Sequence, residues 1–342
     1  MLVFPNSHFK MRLVFLIQCG LILCAASQSC WRDTTCTGPR EPSFPGPWEQ
    51  NSHSPSSRIV SPVRILASDD CVKSDFPGPA SLTGNGSLLV FDFGQEVGGI
   101  VTVGYEAQGK GALGIAFTEA RNWTGEWSDS SNGAFGPDGA LYNNVTSTSQ
   151  ASYTVPDERL RGGFRYLSLF SMTDDEITIN IKDITLEISY QPAWSNLRAY
   201  GGYFDSSDAL LNRIWYAGAY TLQTNAVPPN SGRQYPLIST GWLNNASLGS
   251  NGSSIFVDGS KRDRACWAGD LAIAVPSVLV STGDAYSVKT SLQMQYDQQV
   301  FPPAPQLILP QADLLRLRAL ANSPWLDRQL ASMGPTHTIC RH

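Results

Sequence analysis

The sequence predicts a chain in two parts, a β-sandwich followed by a helical domain, and three observations carry that reading. Between Arg58 and Gln191, short β-branched and aromatic runs recur between glycine-bounded turns, with almost no helical period. Near residue 206 the apolar spacing changes from two to three and four. Beyond it, runs of helical length begin at capping residues and stop at glycine.

Taken in chain order, the first element is a targeting segment. Lys10 and Arg12 precede LVFLIQCGLILCAASQS, an apolar run that ends in small residues, which is the layout of a secretory signal peptide. The apolar stretch from Leu13 to Ala26 is shorter than the ~20 residues a membrane span needs. Residues 1–29 are therefore read as a cleaved signal and the mature protein as secreted, with no membrane contact beyond that signal. Five N-x-S/T sequons, at Asn85, Asn122, Asn144, Asn245 and Asn251, agree with that route. Cleavage near Ser29 leaves Cys30, Cys36, Cys71, Cys266 and Cys340, an odd number; Cys30 with Cys36 or Cys71 is the expected pair.

Residues 30–57 are rich in Pro, Ser and Gly and read as an irregular lead-in. The sandwich follows over 58–196, with strands at SLLVFDFG, GGIVTVGYEA and GFRYLSLF. In ITINIKDITLEISYQ the alternation Ile177, Ile179, Ile181 resumes out of phase at Ile184, Leu186, Ile188 and Tyr190, which predicts a bulge or turn at Lys182-Asp183. The helical part spans 197–299. In SSDALLNRIWYAGAYTLQTNA, Leu211, Ile214, Trp215, Gly218, Ala219 and Leu222 form one apolar stripe behind the caps Ser206, Ser207 and Asp208, with Trp215 read as core. Helices over 271–280 and 285–298, joined by STGD, read as a helical hairpin. From residue 300 the texture turns Pro- and Arg-rich, without Lys, Glu or Tyr, and reads as an aberrant tail.

Composition narrows the function. A net charge of −5 with no basic stripe excludes nucleic acid and anionic membrane surfaces as expected partners. Four His and no C-x-x-C spacing give no expectation of a metal or other cofactor. Against 15% charged residues overall, the stretch VDGSKRDRACWAGD concentrates three aspartates, three basic side chains and a tryptophan. A solvated charged turn, with Asp270 capping a helix, would account for it. So would a sugar site. Glycoside hydrolysis needs a carboxylic acid for the leaving oxygen, a carboxylate on the other face of the ring, groups that grip hydroxyls and an aromatic platform. Trp242, in the Gly/Asn/Ser-rich loop before the motif, is a second candidate platform.

The residues GYFDSSDALLNRIWYAGAYTLQ and VDGSKRDRACWAGDLAIAVPSVLVSTGD resemble the α-L-rhamnosidases of glycoside hydrolase family 78, particularly fungal secreted members, and DFGQEVGG and RGGFRYLSL resemble the same proteins. The resemblance covers roughly residues 58–299 and is most specific in D-G-x-K-R-D-R-x-x-W-x-G-D. It implies an (α/α)6 barrel of the six-hairpin glycosidase type behind the sandwich, and inverting release of terminal α-L-rhamnose from rhamnose-containing glycosides or polysaccharides without a metal. It assigns Asp263 as general acid, where the family often has Glu. Asp258 and Asp270 would bind rhamnose hydroxyls beside Arg262 and Trp267. Aspartate is one methylene shorter than glutamate, which sets the proton back by about an ångström. Arg262 and Arg264 are expected to lower the pKa of Asp263, and Asp258 and Asp270 to raise it.

About 100 residues match the barrel, enough for about three of its helices, and no Glu follows Glu187 to serve as base. The chain is therefore expected to be an incomplete, weakly active or inactive form. The alternative is a non-catalytic carbohydrate-binding or vestigial fragment of such an enzyme. A serine hydrolase is remote, since Ser277 has no His/Asp partners. Protein recovered from culture medium is expected to lack roughly its first 26–29 residues by N-terminal sequencing and to gain gel mobility on enzymatic deglycosylation. A chain that still begins at Met1 or Met11 would overturn the signal assignment.

Overall fold

The computed structural model describes residues 30–66, 72–132 and 136–300. The expected signal peptide, Cys71 and the expected tail beyond Val300 lie outside the described residues. Within them, Cys30 is bonded to Cys36 and Cys266 is a free thiol.

Eight strands form the sandwich: β1 (Ile59–Val60), β2 (Arg64–Leu66), β3 (Val72–Asp75), β4 (Ser81–Thr83), β5 (Leu88–Thr118), β6 (Leu141–Thr154), β7 (Arg161–Met172) and β8 (Ile177–Ile188). All pairings are antiparallel, and β5 organises them. Its first stretch pairs with β2 and β7, its middle stretch with β8, and its last stretch returns to β7. A strand this long can serve both layers only if it bends, and Gly99 is one bend. Its φ is 157°, and a Cβ there would lie 1.9 Å from Glu187 O on β8. Between the layers, alternate residues of β5, β7 and β8 form one apolar core that includes Phe91, Val103, Ile115, Phe164, Leu167, Ile179 and Leu186.

The phase slip read in the last strand is a β-bulge. Gly104 pairs with Asp183 and Tyr105 with Ile181, so Lys182 is the extra residue and both runs of isoleucines still face the core. The two sandwich sequences singled out above meet each other. The Asp92 carboxylate accepts Arg165 Nε at 2.7 Å, Arg165 Nη2 at 3.0 Å and the Gly94 N–H at 2.7 Å, which ties β5 to β7. Burial works against this carboxylate, but Arg165 and Gly94 hold it below the usual aspartate range.

The helical part consists of α1 (Ala209–Thr224), a short ladder of β9 (Ala226–Val227) with β10 (Ile255–Phe256), then α2 (Ala268–Val280) and α3 (Ala285–Asp297). Asp208 caps α1 by accepting from Leu210 N at 2.8 Å, and Asp284 caps α3 by accepting from Ser287 N at 3.0 Å. Three α-helices stand among the described residues, and they do not close into a barrel. No described helix is long and apolar enough to cross a membrane.

The apolar stripe of α1 departs from expectation. Ile214 is 58% exposed and Leu211 is also open, whereas the buried face carries Asn212, Tyr216, Ala219, Tyr220 and Gln223. Trp215 is half-buried, packing against the edge of the core and stacking on Phe204. Hydroxyls explain why a polar face packs inward. Tyr220 donates to Glu96 O at 2.7 Å and bonds Tyr190 Oη at 2.7 Å, and Tyr200 donates to Gln223 Oε1 at 3.1 Å. These bonds seat α1 on the sandwich.

Replacing Asp92 by alanine is expected to destabilise the fold by about 1–3 kcal/mol, the range for hydrogen bonds to charged groups. A carboxylate held below its unfolded pKa contributes stability above that value and loses it as pH falls through the folded value. The gap between wild type and D92A in urea melts should therefore shrink as the solution is acidified below about pH 4.

Candidate functional site

The motif segment, residues 257–267, is not a solvated turn. It leaves β10, lies down on the sandwich and then enters α2. Gly162 and Gly163 of β7 make room for it: a Cβ on Gly162 would fall 1.6 Å from Ser260 O, and one on Gly163 would fall 2.7 Å from Glu96 Oε1 and 3.0 Å from Ser260 Oγ.

Its basic residues divide by task. Lys261 is largely covered and its ammonium bridges Glu119 at 2.9 Å and Asp129 at 3.1 Å, both on the sandwich. Asp129 and Asp138 in turn hold the buried Arg161 at 2.5 and 2.6 Å. Arg264 is fully buried and donates to Ser231 O, to Ser231 Oγ at 2.9 Å and to Ser260 O at 2.5 Å. Burial, together with the charge of Arg233, pushes its pKa down to about 9. Arg264 therefore fixes the loop and, among the described residues, makes no ion pair with Asp263. Arg262 alone of the three is exposed.

The acidic residues are arranged differently. The Asp258 N–H donates to Ala265 O at 2.9 Å and its Oδ1 accepts Ala265 N at 3.0 Å, so residues 259–264 are pinched into a closed loop. Inside it, Arg264 N bonds Arg262 O at 2.9 Å around Asp263, whose φ is 56°; Arg264 follows at 51°. Two successive non-glycine residues in the left-handed region cost of order 1–3 kcal/mol each and persist only where surrounding contacts hold them.

The other two motif aspartates act on Asp258. Burial raises the pKa of Asp258, and the charges of Asp263 and Asp270 raise it further against the Ala265 N–H. Tyr235 is raised by burial and then by Asp263 and Asp258. Asp258 and Asp270 line a groove of about 600 Å³ between α1 and α2, shared with Trp215, Leu222 and Ala274. Trp267 is exposed at the start of α2, and Asp270 sits in that helix's first turn. Asp270 does not cap the helix; the N-cap position is Trp267, without a side-chain cap bond. A separate cavity of about 1130 Å³ lies between the disulfide-closed start of the described chain and loop 228–253 and contains none of the motif residues.

Trp242 corrects the expectation of a sugar platform. It is 1% exposed, donates its indole N–H to Leu160 O at 3.0 Å and Arg159 O at 3.1 Å, and lies under the Arg161 guanidinium at 4.8 Å. Its ring is buried in the core beneath the loop and offers no open face for a sugar to rest on. Two residues escaped sequence reading. Arg233 is buried with Nε and Nη1 unpartnered; burial pushes its pKa down to about 10, against the charges of Asp138 and Asp263. Glu96, from DFGQEVGG, faces the loop; burial first, then Glu119 and Asp129, push its carboxyl up to about 8, against Lys261 and Arg161. Nothing in the local sequence at either position signals this, because each is defined by a segment far away in the chain. No group of three or more His, Cys, Asp or Glu among the described residues is placed to hold a metal ion.

No family model and no curated protein matches the sequence. Among solved structures, the chain is similar to a rhamnosidase from Klebsiella oxytoca with rhamnose bound, at 17% identity over 68% of this chain and 42% of that one, with a TM-score of 0.45. It is also similar to a GH78 family rhamnosidase of Bacillus sp. GL1, at 21% identity over 64% of this chain and 19% of that one, with the same TM-score. A CBM32 of AlyQ in complex with 4,5-unsaturated mannuronic acid shares 11% identity over 37% of this chain and 96% of that one, with a TM-score of 0.23. The chain spans less than half the length of the two rhamnosidases.

A neutral Glu96 at pH 7 has a thermodynamic signature. An acid whose folded pKa lies above its unfolded value of about 4.3 is fully compatible with the fold below that value, and stability falls as pH rises from there through about 8. Glu96→Gln removes that slope. The variant is expected to gain roughly 1–3 kcal/mol on wild type between pH 5 and pH 8.5 in denaturant melts. Parallel curves across that window would show that Glu96 is ionised in the folded protein.

Proposed function

We propose that the groove lined by Asp258 and Asp270 takes a terminal sugar, and that the protein is a secreted glycoside hydrolase of the α-L-rhamnosidase kind. One observation carries this reading: Asp258, Asp263 and Asp270 converge electrostatically beside a groove while the neighbouring basic residues Lys261 and Arg264 are engaged elsewhere. Two of the three basic residues of the run are thereby withdrawn from its carboxylates. The motif resemblance supplies the sugar and the assignment of roles.

In this mechanism Asp263 delivers a proton to the glycosidic oxygen as the bond to the anomeric carbon breaks. Asp258 and Asp270 accept hydrogen bonds from ring hydroxyls, and the exposed Trp267 and Arg262 border the sugar. The strained turn fixes the backbone from which the Asp263 carboxyl projects, which serves proton transfer at a defined oxygen. Inversion further requires a carboxylate that activates water on the opposite face of the ring.

A second reading, a carbohydrate-binding protein without turnover, is favoured by the openness of the groove. Ile214 and, at 78% exposure, Ile273 leave its rim in water, whereas hydrolytic sites gain from water exclusion. Secretion is part of the proposal under either reading. The Cys30–Cys36 bridge suits an oxidising compartment, and the asparagines of all five sequons are exposed.

Asp263→Asn is expected to lower kcat/KM by about 10²–10⁴-fold on rhamnosides with poor leaving groups and far less on an activated aryl α-L-rhamnoside. Equal losses on both substrates would remove Asp263 as the acid. Calorimetric binding of methyl α-L-rhamnoside without turnover of any rhamnoside would select the binding reading. No binding and no turnover would overturn both.

A further inference from the structure

Three of the described tryptophans are widely exposed: Trp123, Trp127 and Trp267. Trp267 belongs to the carboxylate site and Trp123 lies inside the Asn122 sequon. Trp127, at 64% exposure, has neither explanation. The backbone that follows it is tied down. Its neighbour Ser128 donates its N–H to Gly139 O at 2.7 Å and accepts Phe117 N on its Oγ at 3.1 Å, while Asp129 N bonds Phe117 O at 3.1 Å. Tyr142 on β6 is 54% exposed and stands edge-on to Phe170 at 6.0 Å. The two rings rim a hollow of about 250 Å³ whose opposite wall is Arg159 with Thr240 and Gly241.

Aromatic faces open to water beside a small hollow of mixed lining suit a ring that has one apolar face and polar edges. The polar groups narrow the choice. Asp138, the one acid on the hollow, already accepts from Arg161, Ser131 and Asn132. Arg159 donates Nη1 to Trp242 O at 2.6 Å, and its Nε–Nη2 edge carries no hydrogen bond among the described residues. That edge is the one that grips a carboxylate through two parallel bonds.

We propose that Trp127, Tyr142 and Arg159 form a second carbohydrate subsite that takes a uronic acid residue, stacked on the aromatic rings with its carboxylate on Arg159. The subsite is distinct from the carboxylate groove but connected to it. Loop 234–243, closed by Gln234 N to Leu243 O at 3.0 Å, carries Tyr235 beside Asp263 at one end and Gly241 on the hollow at the other. The proposal builds on the sugar reading of that groove and adds a place for an acidic sugar beside the same loop.

The test titrates the full chain by calorimetry with digalacturonic acid, with its neutral counterpart galactobiose, and with methyl α-L-rhamnoside. Digalacturonic acid is expected to bind, to weaken at least tenfold in Trp127→Ala and in Arg159→Gln, and to weaken with added salt. Methyl α-L-rhamnoside binding should be unaffected by Trp127→Ala, which also reports that the variant is folded. Absence of digalacturonate binding, or affinity unchanged in both variants, overturns the subsite. Equal binding of galactobiose overturns the acidic assignment. Digalacturonate binding without rhamnoside binding supports the subsite while removing the proposed function of the groove, so the two failures are distinguishable.

Discussion

The attachment of Lys261 to Glu119 and Asp129 is the contact on which the rest of the site depends. A largely covered ammonium requires anionic partners, and here both come from a different part of the chain. Asp129 is shared with Arg161, which is also paired with Asp138, so two cations and three carboxylates form one network across the junction. Arg233 joins it by donating to Ser131 O and Lys261 O, each at 3.1 Å. Each cation has two carboxylate partners, so the loss of one acid leaves both cations paired, whereas the loss of Arg161 strips the fully buried Asp138 of its counter-ion. The network holds the motif loop in one position.

That rigidity has a local consequence. Asp263 and Arg264 occupy backbone conformations that side-chain-bearing residues avoid, and a free loop would relax out of them. The bonds of Arg264 to Ser231 and Ser260, and the pairing of Asp258 with Ala265, hold the turn from both sides. The strain thus sits at the residue proposed to move a proton. Of the residues that sustain it, Arg264, Ser231 and Ser260 touch no ligand in the proposed mechanism, whereas Asp258 both closes the turn and faces the sugar.

The same division explains Glu96. Its carboxyl faces the motif loop across Gly163, where burial and two neighbouring acids outweigh Lys261 and Arg161. A proton-holding group on the sandwich side and three carboxylates on the helical side give the junction a charge state set by both parts together. Neither part has that charge state alone.

Much of the architecture was legible in the sequence, because local periodicity and caps are written residue by residue. The sandwich strands, the Lys182 bulge, the capping of α1 by Asp208 and the turn into α3 all follow from alternation and capping chemistry within short windows. The acidic motif also declared itself by composition. What the sequence could not decide is which side of each element faces what. Trp242 reads as a loop tryptophan and is core, because Arg161 and the Leu160 carbonyl cover it from another segment. Leu211 and Ile214 read as core and face water, because tyrosine hydroxyls hold the other face of α1 to the sandwich. Of three basic residues in one run, tertiary contacts alone made Lys261 and Arg264 structural and left Arg262 open. Burial and pairing are properties of two distant segments at once, and a single stretch of sequence specifies only one of them.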